Sequence, residues 1–65
     1  MTPEELESAG LRLYGADWQS PLARRLLVDP RTVRRWRAGD REIPGPAIAA
    51  IRLLLRHPKE AAREP

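Results

Sequence analysis

The sequence predicts a small all-α domain of four or five helices. Apolar residues recur at spacings of three and four along the chain, and no stretch shows the alternation of a strand. Four segments each carry a proline in the first turn, and three of them close on glycine or proline. A chain of 65 residues also has room for one domain only. The helices are expected near residues 3–14, 19–26, 30–38 and 46–57.

The first helix opens on Thr2-Pro3-Glu4-Glu5. Thr2 is a good N-cap, Pro3 suits the first helical position, and Glu5 completes a capping box. Leu6, Ala9, Gly10, Leu13 and Tyr14 form its apolar face, and Gly15 ends it. Gly10 costs about 1 kcal/mol relative to alanine, which predicts that another helix comes close there. Glu4, Glu5 and Glu7 lie in the first turns, where negative charge is favourable, so a catalytic carboxylate cluster is not needed to explain them.

The second helix carries Leu22, Ala23 and Leu26 inward. Pro21 is tolerated only in a first turn, so this helix begins near Trp18 or Gln19. Asp29-Pro30 then starts the third helix, with Asp29 as N-cap, and Gly39 stops it. Residues 40–45 form a loop. The fourth helix opens with Gly45-Pro46, turns Ala47, Ile48, Ile51, Leu54 and Leu55 to one side, and closes at Pro58, with His57 capping its end. Residues 1–58 thus make the domain, and 59–65 are expected to be a frayed, disordered tail.

Composition removes several classes of function. With no cysteine and a single histidine, His57, the chain offers no disulfide and no thiolate or multi-histidine metal site. No apolar run approaches the ~20 residues of a membrane span, and the acidic start does not read as a signal peptide. No nucleophile–base pair or phosphate-binding glycine loop is present. The expectation is a non-enzyme without cofactor, metal or small-molecule ligand, working in the cytoplasm.

Charge is distributed unevenly. Residues 24–41 hold seven arginines against Asp29 and Asp40, a local charge of +5. Residues 1–17 hold Arg12 against Glu4, Glu5, Glu7 and Asp17, a local charge of −3. Eleven of the twelve basic residues are arginine, whose planar fork suits phosphate and guanine. On a helical wheel of the third helix, Val33 and Trp36 share one side, and Arg31, Arg34, Arg35 and Ala38 share the other. An arginine face alone is most often a solvated face. Here the helix also follows a short helix across a break of about three residues and has an apolar side to dock, which favours nucleic acid. Trp36, on the apolar side, is expected in the core rather than stacked on a base, and Trp18 under the first helix.

The stretch from Gln19 to Trp36 resembles the helix-turn-helix of phage repressor and Cro-like (XRE-type, Cro/C1-type) regulators. Gln19 matches the glutamine that opens the family's first motif helix, and Ala23 the alanine where its two helices touch. Leu26 and Val28 match apolar positions around the turn, Val33 and Trp36 the anchors of the recognition helix, and Thr32-Val33-Arg34-Arg35-Trp36 with Ala38-Gly39 is close to the family pattern. The similarity spans residues 18–56. Leu27 departs from it, because the family has glycine where the first helix enters the turn. A left-handed backbone conformation at Leu27 is therefore expected. Arg37 departs as well, standing where the family tends to have a glutamate paired with a basic residue. A pairing of Arg37 with Glu42 or Asp40, or a phosphate contact, is expected in its place.

The resemblance implies a lambda-repressor-like fold, with residues 29–38 as a recognition helix in the major groove of double-stranded DNA. It assigns base contacts to Arg31 and Arg35, since Pro30 has no polar side chain. Gln19, Thr32, Arg34, Arg37 and Arg41 are the expected phosphate contacts. The corresponding role is a bacterial or phage transcriptional regulator, nucleoid-associated. Leu53 and Leu54 border the inward stripe of the last helix, and a small core is not expected to cover both, so a weak homodimer through that helix is a further expected partner. The alternatives are a protein-interaction module on the same fold, such as an antitoxin or accessory subunit, and RNA binding.

Overall fold

The computed structural model describes residues 1–61. Five helices follow one another: α1 (Pro3–Tyr14), α2 (Gln19–Leu26), α3 (Pro30–Ala38), α4 (Gly45–Arg56) and α5 (Pro58–Ala61). No strand occurs among the described residues, and no helix there is long and apolar enough to cross a membrane. The helix α1 touches each of the other four, so it is the post around which the molecule is built.

Local chemistry fixes the ends of α1. The Thr2 hydroxyl accepts the Glu5 N–H at 3.1 Å, and the Glu5 carboxylate accepts the Thr2 N–H at 2.8 Å. This reciprocal pair satisfies two donors that a helix start leaves open. Hydrogen bonds from the Thr2 backbone and hydroxyl also hold the Glu5 carboxyl below its ordinary pKa. At the other end Gly15 adopts φ 81°, with its N–H on the Leu11 carbonyl at 2.9 Å. Gly10 is buried, and a Cβ there would overlap the ring of Trp18, itself buried. The predicted close approach is thus made by the aromatic ring that precedes α2.

The link between α2 and α3 is a tight left-handed turn. Leu27 has φ 59° and ψ 42°. Its N–H reaches the Arg24 carbonyl at 3.2 Å, while the Val28 N–H reaches Ala23 at 2.9 Å. These two bonds form a Schellman closure. The same closure ends α3, where Gly39 and Asp40 donate to Trp36 and Arg35 at 3.2 and 3.0 Å. Gly39 (φ 83°) has no Cβ to resist that conformation, whereas Leu27 adopts it with 85% of its surface exposed.

Leu6, Trp18, Leu22, Ala23, Val33, Trp36 and Ile51 form one buried cluster with Ala9, Leu54 and Ala61. Leu13, Leu26, Val28 and Leu55 pack against it partly buried. Ile48, expected inside, is half-buried and lines a crevice beside Trp36. On α4 the inward leucine is Leu54, while Leu53 points out with 57% exposure.

The tail expected from residue 59 does not begin there. His57 ends α4, its N–H bonded to the Leu53 and Leu54 carbonyls at 3.0 and 3.2 Å. Pro58 then opens α5, and its missing N–H costs nothing at a first helical position. Ala61 is buried in the core, so Lys59, Glu60 and Ala61 belong to the folded unit. Residues 62–65 of the expected tail lie outside the described residues.

Candidate nucleic-acid interface

The helix α3 is built to be held rigidly from one side. Its start is fixed by Asp29, whose extended backbone (φ −68°, ψ 140°) leaves the carboxylate free to accept the Arg31 N–H at 2.8 Å. Pro30 supplies the preset φ of a first helical residue. The inward side chains, Val33 and Trp36, are both buried, so α3 cannot roll without opening the core.

The opposite side presents Arg31, Arg34 and Arg35, all exposed. Arg31 and Arg35 stand four residues apart, ~6 Å along the axis, and share one surface of the helix. Ion pairs engage Arg37 with Glu7 at 2.6 Å and Arg25 with Glu60 at 3.9 Å. Among the described residues no carboxylate pairs with the side chains of Arg24, Arg31, Arg34, Arg35 or Arg41. The basic charge of α3 is therefore mostly available to an external anion.

The residues expected at phosphates are placed less uniformly. Arg34 is exposed on the outward face of α3, and Thr32 is half-buried in its first turn. Arg41 is exposed in the loop after α3, adjacent to Glu42. Gln19, the first residue of α2, is half-buried in a shallow depression shared with Ala16, Asp17 and Ser20. An anion held there would meet the Asp17 carboxylate as well as the helix N-terminus.

Arg37 differs from the sequence expectation. It pairs with neither Glu42 nor Asp40. Its Nε and Nη2 both donate to Glu7 Oε1 on α1, at 3.0 and 2.6 Å. The cause is helix packing, because α1 and α3 lie against each other and bring together residues 30 apart in sequence. The hydrogen bonds that Arg37 donates to Glu7 raise its pKa above the ordinary guanidinium value. No local spacing signals Glu7 as the partner.

Comparison with known proteins finds no matching family model, no match among the curated proteins and no match among the solved structures.

Proposed function

We propose that the chain is a sequence-specific double-stranded DNA-binding protein that lays α3 in the major groove and serves as a transcriptional regulator. The observation that carries this reading is the two-sided construction of α3. Its inner face is locked by Val33 and Trp36, and its outer face offers Arg31, Arg34 and Arg35 without carboxylate partners among the described residues. A major groove admits one helix, and arginine is the usual two-pronged partner of guanine O6 and N7.

In this reading Arg31 and Arg35 meet base edges. Arg34, nearer the border of the outward face, meets a phosphate, with Thr32, Gln19 and Arg41 as further backbone contacts. A regulator of this kind works in the cytoplasm on the nucleoid, in a bacterium or a phage-infected cell. A homodimer through the exposed Leu53 side of α4 would place two recognition helices on two half-sites.

Selection from random duplex DNA, followed by titration of the recovered duplex at several salt concentrations, tests the proposal. Recovery of a common sequence, bound more weakly as salt rises, supports it. Failure to bind any duplex refutes it and leaves a protein-interaction module and RNA binding as the remaining readings of the fold.

A further inference from the structure

Four arginines lie on α3, and one of them, Arg37, is engaged inside the molecule. Both of the guanidinium donors in the contact converge on a single carboxylate oxygen of Glu7. Arg37 lies three residues after the exposed Arg34 and next to the buried Trp36. It therefore stands on the border between the outward face and the core, on the side that faces α1. A cation in that place would extend the basic surface of α3 sideways, toward the phosphate backbone flanking the groove.

Such a cation would have a defined consequence. Each phosphate neutralised adds about 0.9 to the salt slope of binding. It strengthens binding to every duplex alike and carries no sequence information. Holding Arg37 inside the fold lowers the non-specific background while leaving the base-reading side chains untouched.

Resting on the DNA-binding reading above, we propose that Glu7 sets specificity by withholding Arg37 from the phosphate backbone, so that discrimination rests on Arg31 and Arg35. Glu7 is then a positioning residue. It touches no nucleic acid and acts through the arginine it holds. The half-exposed setting of the pair, with 36% of each side chain accessible, means that Arg37 is freed when its partner is removed.

The experiment compares salt slopes and the ratio of selected to non-selected duplex affinity in folded full-length protein. Arg37→Gln is expected to leave the slope unchanged. Glu7→Ala is expected to steepen it by about one unit on both duplexes and to lower the affinity ratio severalfold. Exchanging the charges, Glu7→Arg with Arg37→Glu, is expected to restore the wild-type slope. A merely structural pair would change stability in Glu7→Ala without steepening the slope. An Arg37→Gln slope that falls by about one unit would show that Arg37 already touches phosphate, and would overturn the inference. An unchanged slope in Glu7→Ala would overturn it equally. If Glu7→Ala does not fold, Arg37→Gln and the charge exchange decide the matter. Wild-type protein that binds no duplex overturns the function itself, which is a different result from wild-type binding whose slope ignores both variants.

Discussion

Leu27 occupies a left-handed backbone position with its side chain 85% exposed. The conformation costs a non-glycine residue ~1–2 kcal/mol, and an exposed side chain recovers little of that by packing. Leu27→Gly relieves the strain but gives the unfolded chain more freedom, an opposing effect of ~0.4–1 kcal/mol. The variant is expected to be neutral or stabilised by up to about 1 kcal/mol in chemical denaturation. A loss above ~2 kcal/mol would show that the leucine packs in the native state. At Gly10 the sign reverses. Alanine there gains ~1 kcal/mol of helix propensity but drives its methyl into the Trp18 ring, and overpacking of this kind costs ~1–3 kcal/mol. Gly10→Ala is expected to be less stable than wild type, and an equal or higher melting temperature would contradict the packing described. Both residues were legible in the sequence, Gly10 as a helix-breaker inside a helix and Leu27 as a misfit at a turn. The identity of the group against Gly10 was not, because a glycine records closeness without recording what is close.

At the scale of elements, the helix ends follow from short-range chemistry. Thr2 with Glu5, Asp29 with Pro30, and Gly39 each act within a few residues, and all three behave as their spacing predicts. The capping box adds a pH dependence. Glu5 is held below its ordinary value in the folded state, so the stability it contributes is fully present above the unfolded value and is lost as pH falls through the lowered folded value. The acid limb of a stability–pH curve should therefore flatten in Glu5→Gln. An acid limb identical to wild type would mean that Glu5 is not held in this way. Interactions between elements were harder to read. The partner of Arg37 depends on how α1 and α3 pack, so the acids nearest in sequence, Asp40 and Glu42, are not the ones it meets. Leu54 and Leu55 are neighbours on one stripe, and the packing of α4 buries Leu54 while leaving Leu55 partly covered. The helix α5 did leave a signal. A proline that closes one helix can open the next, and Pro58 does both.

Across the whole molecule, the longest extent is 29 Å. Successive half-sites on one face of a duplex lie ~34 Å apart, so under the proposed function a single copy would reach one groove segment and a longer site would need two. Leu53 is the large apolar side chain that α4 leaves exposed, and it is the expected centre of a weak homodimer. Sedimentation at rising concentration should show a monomer–dimer equilibrium that Leu53→Asp shifts to monomer. Monomer alone at high concentration, with and without DNA, would remove the dimer. The fold class and the outward placement of Arg31, Arg34 and Arg35 were legible because both follow from helical periodicity.

The central claim is that Arg31 and Arg35 read guanine in the major groove, and guanine N7 is the atom to test. Replacing single guanines of the selected duplex by 7-deazaguanine removes that acceptor while leaving base pairing intact. Wild-type protein is expected to lose part of the ~1–3 kcal/mol that a two-pronged arginine–guanine pair contributes, at one guanine for each arginine, because O6 remains as an acceptor. Arg35→Ala should lose ~1–3 kcal/mol on the unmodified duplex and become indifferent to the deaza substitution at its own guanine, with Arg31→Ala indifferent at the other. Full wild-type affinity for every deaza duplex, or Arg31→Ala and Arg35→Ala proteins that are folded and bind the selected duplex as wild type does, would contradict readout by α3.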